Sequence, residues 1–588
     1  MRIRDTHHGH LTSRMSTMLR TPLLIGLWLA CMAPASATEL SLSDFHPHAD
    51  GQADDLPSLR LCFAAAAAAG GGTVVIPPGD YGIGIGEPVA LSSRVRVVAN
   101  GARFHLPQVL PDKARMVLFA GADIRDLAWE GGHFIGHCFD WRGSEPAWPP
   151  NANTRMIVVT TSPGGTTGNL VFHGLSSDGV AGAVITVQGA GASGNDSAVQ
   201  TYASDVSIGD CIFERTGKFM WDYGLLWQIT VWPEDYDERE RALAASYFRN
   251  DLVRAVRMGD GDERVQLSAD GPAPPVSTSG QASQAVCFFG DALPQNVMRG
   301  RQYFVVESAA DHLRIAEQPG GPALRFTGAA GPQARMITDL QAAYYALYAP
   351  TGSGPGKGAF DLVGCRTVQV SHCRLSALGD TMHIQKSDGI VFTGNHITGS
   401  RMGAFFLAEH CRNATITGNL IEGTNGSRVM SIEKSCTNVT ISGNIFQGGG
   451  RGSWINQPQN LVLEGNIFVN NTTKGEADPR RGRRTFQTGG WERYPELYFT
   501  TYEPGGRYGP VIISGNTFTT GPEALAAMRF EGGAHDVLVS GNVISGATTT
   551  VLIEGGAEVR TADIPAGDIQ RAPAMPATPP RIPGSPGR

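Results

Sequence analysis

Six segments between residues 360 and 556 repeat one phrase, and no other feature of the chain limits its fold so tightly. VFTGNHI, TITGNLI, TISGNIF, LVLEGNIF, VIISGNTF and LVSGNVI each carry Gly-Asn inside an alternating apolar run, with Asn395, Asn419, Asn444, Asn466, Asn516 and Asn542 in the shared slot. Successive asparagines are 24, 25, 22, 50 and 26 residues apart, so the long step holds two coils or one coil plus a loop. A period of 22–26 residues with two or three short alternating runs predicts a parallel β-solenoid. A propeller blade would need ~40–45 residues. No helical stripe fits between the runs, which weighs against a leucine-rich array. Each coil turns at Gly-Asn, where asparagine tolerates a left-handed backbone. At the ~4.8 Å spacing of stacked strands, identical asparagines can join their amides into a ladder.

Weaker copies extend the repeat backward, with Cys211 and Cys373 in the asparagine slot. A second register runs eight residues upstream through Cys365, Ser387, Cys411 and Cys436. Cys411 and Cys436 are thereby stacked on adjacent coils, close enough for a disulfide, and a thiol stack is the expected arrangement.

Composition agrees with a β fold. Glycine and proline together make about 19% of the 588 residues, a level that penalises helix interiors. Charged residues are 17% and hydrophobic ones 41%, which excludes a disordered polyelectrolyte. Residues 21–33 are apolar, follow Arg14 and Arg20, and precede Ala35-Ser36-Ala37, the pattern of a secretory signal too short to span a bilayer. Residues 1–37 are therefore expected to be a signal peptide, with Met15 or Met18 as the start and no lipid on Cys31, and the mature protein to be secreted or periplasmic. Cleavage at Ala37 removes four arginines and one aspartate and takes the formal net charge from −7 to −10, which excludes a general attraction to nucleic acid. No later segment is apolar enough to cross a membrane. Nine cysteines are too sparse for a disulfide scaffold, and no CxxC or HExxH spacing suggests zinc.

Residues 44–106 add a resemblance. Asp-Gly-x-Ala-Asp-Asp, an alanine-rich helix, Gly-Gly-Gly-Thr-Val-Val-Ile-Pro-Pro-Gly and a first strand pair resemble the opening of the pectate-lyase-like right-handed parallel β-helix superfamily, which holds polysaccharide lyases and glycoside hydrolases. The resemblance covers most of 44–556. Asp54 and Asp55 suit the helix N-terminus, Pro57 its first turn and Gly70 its end, so the helix should plug the open end of the solenoid. The expected fold is thus all-β: a right-handed parallel β-helix with an N-terminal capping helix and an inserted small β domain. The β-helix should occupy 38–234 and 346–558, the insertion 235–345, where 286–327 alternate like antiparallel strands, and a disordered proline-rich tail 559–588. Trp221, Trp227 and Trp232 border the insertion, and a second excursion covers 471–510.

The resemblance implies three strands per coil, with substrate along the outer face of the first sheet. Here the matching runs are 360–363, 382–385, 405–408 and 430–433. Alternation buries Leu362, Ile384, Leu407 and Ile432 and turns Asp361, His383, Phe406 and Ser431 outward, followed by Val363, Gln385, Ala408 and Glu433. Asp361 then stands beside His383, the carboxylate–imidazole pairing used in acid–base catalysis, though a plain polar rung on the surface is the alternative. Asp380, in Gly-Asp-Thr at the start of the same strand, is reminiscent of the Gly-Asp-Asp of polygalacturonases, whose other signatures are absent. Glu433 is a further candidate carboxylate. Arg401, Arg428 and Arg451 recur just before the strand and would form a basic edge suited to carboxylates, or else solvated turn residues. Lys434 is a candidate base or substrate contact, but Glu409 and Lys434 fit a cross-coil ion pair better. Trp454, Trp491 and Tyr494 can stack on sugar rings or pack locally. The resemblance allows for calcium, although no acidic ligand cluster asks for it.

Together these readings lead to an exported polysaccharide-degrading enzyme, a lyase cleaving an acidic, uronate-containing glycan by β-elimination. The alternatives are an inverting, polygalacturonase-like hydrolase and a non-catalytic glycan-binding, polysaccharide-export or tailspike-like adhesin.

Overall fold

The computed structural model describes residues 38–111, 114–138, 148–149, 152–192, 198–217, 234, 236, 238, 241, 253–268, 285–290, 292–338, 357–424, 427–472, 493–501 and 505–573. Strands stack in parallel, coil upon coil. One sheet has 13 strands, from Val89–Ala90 to Ile569–Ala572, and supplies the first strand of each coil. The second and third strands of the coils form a 25-stranded sheet that bends at the Gly-Asn corner.

The corner is the ladder expected from the repeat. Asn419 Oδ1 accepts from the backbone N–H of Asn395 at 2.9 Å and from its side-chain amide at 3.1 Å. The same double bond recurs from Asn419 to Asn444, Asn444 to Asn466, Asn466 to Asn516 and Asn516 to Asn542, all between 2.8 and 3.0 Å. Asn466 and Asn516 are direct neighbours, so the 50-residue step is one coil plus a loop. The backbone assignment needs one correction. It is the glycine before each asparagine that turns left-handed, with φ of 62–65° at Gly394, Gly418, Gly443, Gly465, Gly515 and Gly541. Glycine meets that conformation without a Cβ clash, which frees the asparagine to point inward and bond.

Inside the coils, like sits on like. Phe446, Phe468 and Phe518 stack with ring centroids 4.9 and 4.8 Å apart, the strand spacing itself. None of the eight described cysteines is in a disulfide, and all are buried. Cys211 and Cys373 continue the ladder column, and Cys411 and Cys436 stack as thiols.

At the N-terminal end, Leu56–Ala68 forms the capping helix. Asp54 Oδ1 accepts the N–H groups of Leu56 and Gly84, and Pro57 occupies the first turn, where its missing N–H costs nothing. Leu59, Cys62, Phe63 and Ala66 face the core, and Phe63 lies 5.4 Å from Phe119 and 6.2 Å from Trp129, covering the apolar end of the first coils.

The inserted β domain is a closed six-stranded antiparallel barrel running from Val253–Met258 to Arg335–Thr338, with its own core around Phe288, Tyr303 and Ile315. Ile185–Gln188 pairs directly with Phe360–Val363, so the coils close up across the insertion. Two expectations are revised. The stretch 471–510 contains Leu497–Thr500, a strand of the first sheet. The solenoid also runs past 558: Val559–Thr561 pairs with Val537–Ser540, and Ile569–Ala572 with Val551–Glu554. Six of the seven prolines after Glu558 lie at 573 or beyond, which leaves the last coil free to pair. The expected signal peptide, 1–37, and the residues from 574 onward lie outside the described residues.

A shorter polar stack marks the corner that leads into the first sheet. Asn471 Oδ1 accepts from Gly449 N–H, and Glu496 Oε1 accepts from Asn471 N–H at 3.0 Å. Glu496 is wholly buried, and burial pushes its carboxyl up to about 7.

Two tests follow. Asn444→Ala would strand the buried backbone and side-chain N–H groups of Asn419 and take a donor from Asn466 Oδ1 and Ile416 O, and should lower stability by about 3 kcal/mol, whereas Asn542→Ala, at the half-exposed end of the ladder, should cost about 1 kcal/mol; denaturant midpoints will show whether the two differ. Glu496 holds its proton in the folded chain more tightly than in the unfolded one, so its contribution is complete below pH 4.5 and lost as pH rises to about 7. Glu496→Gln should therefore gain up to roughly 3 kcal/mol over wild type between those pH values, and a flat difference across pH would refute the assignment.

Candidate functional site

The pairing of first-sheet strands sets Asp361 opposite His383, as the spacing predicted. The outward column runs Thr186, Asp361, His383, Phe406, Ser431, Trp454, Tyr498, Arg529 along eight coils. Leu362, Ile384, Leu407 and Ile432 fill the inward column beside it.

These outward side chains are not solvated, contrary to a surface rung. Asp361, Asp380 and His383 are each only 6% exposed. Lys357 Nζ sits 3.0 Å from Asp361 Oδ1 and 3.5 Å from Gln385 Oε1. Gln385 Nε2 meets His383 Nδ1 at 3.1 Å. His383 Nε2 lies 3.4 Å from Asp380 Oδ2, within ion-pair range but without hydrogen-bond geometry. The imidazole stacks on Phe406 with centroids 4.4 Å apart. Burial works to raise the Asp361 carboxyl, yet the charges of Lys357, Arg155 and His383 outweigh it and hold Asp361 below the ordinary carboxylate value. One connected group therefore holds two acids, an imidazole, a lysine and an amide.

The arginines divide. Arg428 pairs with Gly403, and the match of Met430 to Ser453 puts Arg451 opposite Arg428. Arg401, two residues before Gly403, is off that column. Arg428 lies over the Trp454 ring at 4.6 Å, and Arg451 donates to Met402 O at 3.3 Å. Gly403 leaves room first for the Phe406 ring, which a Cβ would meet at 2.2 Å, and then for the acid on the coil before it, with Asp380 Oδ1 at 2.9 Å. Asp380, Arg428 and Arg451 thus edge the same strip of the sheet.

Glu433 is half-buried, in the column of Gln385 and two coils farther on. Lys434 makes the cross-coil ion pair that its spacing from Glu409 favoured. It binds Glu409 Oε1 at 3.0 Å, Lys386 approaches the same carboxylate at 3.6 Å, and all three sit in left-handed turns beyond the strand ends. The turn carries Lys434 off the sheet face into a cross-coil ion pair. Trp454, 8% exposed, packs under Arg428. Trp491 lies outside the described residues, as do Trp221, Trp227 and Trp232. Among the described residues no three His, Cys, Asp or Glu side chains gather closely enough to hold a metal ion. No helix among them is long and apolar enough to cross a membrane.

A second polar group at the far end of the column escaped the sequence reading. Arg529 Nε donates to Glu554 Oε2 at 2.8 Å, and Arg529 also approaches Glu531 at 3.3 Å. Tyr498 and Thr500 donate to Glu531, and the guanidinium lies 4.6 Å over the Tyr498 ring. Burial drives the Tyr498 phenol well above its ordinary value. Continuing the first-sheet register through the 50-residue step would have found it.

Comparisons with known proteins now have a frame. The family model described as "Right handed beta helix region" matches residues 351–477. No curated protein matches the chain by sequence. Among solved structures, the A-module of mannuronan C-5 epimerase AlgE6 of Azotobacter vinelandii is 10% identical with a TM-score of 0.41, covering 91% of this chain and 100% of that one. An exopolygalacturonase of Thermotoga maritima is 12% identical with a TM-score of 0.36, covering 91% of each chain. The surface adhesin PfbA of Streptococcus pneumoniae is 12% identical with a TM-score of 0.39, covering 91% and 97%. By family model and by architecture, the chain is a right-handed parallel β-helix protein.

Proposed function

We propose that the chain is an exported enzyme that cleaves a uronate-bearing polysaccharide lying along the outer face of the first sheet, by β-elimination. The supporting observation is the burial of Asp361, Asp380 and His383 as one connected group on a face that strand alternation turns outward. A decorative surface rung would stay hydrated, whereas burying several titratable groups costs free energy and is a mark of functional sites.

Elimination asks for a cation against the uronate carboxylate, a base for the neighbouring proton and a donor to the departing oxygen. Arg428 and Arg451 offer guanidinium forks for the carboxylate. Gln385 turns its oxygen to Lys357, so its amide donates to His383 Nδ1, and the network assigns the neutral imidazole's proton to Nε2. In this reading Asp380, 3.4 Å from Nε2, is the base that takes the proton and passes it to the departing oxygen, while the Nε2–H of His383 hydrogen-bonds that oxygen as charge builds on it. Lys357 keeps Asp361 ionised in the outward column beside the imidazole. Hydrolysis is the second reading: Glu433 is two coils from Asp380 and three from Asp361, roughly 10 and 14 Å at strand spacing, so the Asp380 pair stands at the upper edge of the ~6.5–9.5 Å of inverting pairs and the Asp361 pair is beyond it.

Incubating the protein with a panel of acidic polysaccharides tests the reaction. Ultraviolet absorbance from unsaturated ends is expected; new reducing ends without it would mean hydrolysis, and retention without either would mean a binder. His383→Ala and Asp380→Asn should each lower turnover at least a hundredfold or so, while Lys434→Ala should stay within about twofold of wild type. Full activity in His383→Ala would end the assignment.

A further inference from the structure

We infer that the middle of the first sheet's outer face, at Ser431 and Asn456, holds an uncharged sugar ring, so the glycan mixes uronates with neutral units; this rests on the polysaccharide reading above. Ser431 stands in the outward column two coils beyond His383. Asn456 is on the next coil, in the neighbouring outward column between Glu433 and Thr500. Both residues are wholly buried. Among the described residues, Ser431 Oγ and both Asn456 side-chain atoms, Oδ1 and Nδ2, have no hydrogen-bond partner.

Native chains rarely leave buried polar atoms unpaired, and those that remain unpaired mark where water or a ligand belongs. The set here points to one chemistry. A hydroxyl and a carboxamide each donate and accept, so together they match the hydroxyl or acetamido edge of a sugar. An anion would call for donors alone and a cation for acceptors alone. Glu433, beside Asn456 on the preceding coil, would repel a second carboxylate and accept from sugar hydroxyls. Phe406 and Trp454 flank Ser431 in its column and supply the apolar walls that a ring's faces prefer. The basic residues, Arg428 and Arg451, precede Ser431 and Asn456 on the same two coils, on the side toward Asp380, so a site for a charged ring lies beside the site for a neutral one.

A ligand site and a structural water pocket respond oppositely to substitution. If these atoms wait for a ligand, Ser431→Ala and Asn456→Leu remove unpaired buried groups, so each should keep or raise the melting temperature. In a His383→Ala background, each should weaken binding of an alternating uronate–neutral oligosaccharide about fivefold to tenfold, with little change for a homopolyuronate. A glycan array carrying homopolyuronates, alternating uronate–neutral glycans and neutral glycans should show the alternating class bound tightest. Lower melting temperatures with unchanged binding, or homopolyuronates bound tightest, would overturn the inference while leaving glycan cleavage in place. Absence of both binding and turnover on every glycan would remove both.

Discussion

The coil-to-coil amide bond of the asparagine ladder fixes everything else in the molecule. Each asparagine bonds the backbone and the side chain of its neighbour, so a coil displaced by one residue would leave several buried polar groups unpaired at once. That penalty ties the third strand of each coil to the second, and through the coil's circumference it sets the register of the first sheet. The meeting of Asp361 with His383 is a remote result of amides on the other side of the core.

Register was therefore the legible part. Repetition of one residue type at one spacing reveals which positions are stacked, and the pairing of Leu362, Ile384, Leu407 and Ile432 follows from counting. Burial on the outer face was hidden, because the groups that enclose Asp361, Lys357 and Arg155, come from outside the repeated phrase. Lys434 forms the expected pair with Glu409 from outside the strand face. Period-two alternation ends where the backbone turns left-handed, and no residue in that turn is a glycine that would announce it. Tyr498, Arg529 and Glu531 were obscured by the long interval, which breaks the period without breaking the stack.

The outer face of the first sheet departs from the tidy rule of polar side chains in water. A polar–aromatic strip runs from Asp361 to Arg529, about 29 Å at strand spacing, and is mostly buried. Its two ends are chemically unlike. One end gathers an imidazole with two aspartates; the other holds an arginine between two glutamates and a tyrosine, with its visible hydrogen bonds satisfied. Internal satisfaction suits a rigid support, whereas the unpaired atoms nearer His383 suit a guest.

The barrel leaves one further mark. Its chain departs after Ile212–Thr216 and the next coil begins at Phe360–Val363, which lies directly on Ile185–Gln188 as though nothing intervened. Lengthening such an excursion costs little closure entropy, since each doubling adds only about 0.6 kcal/mol. The joint thus works as a socket: a lineage can plug in, exchange or discard a whole accessory unit there without disturbing the geometry of the neighbouring rungs.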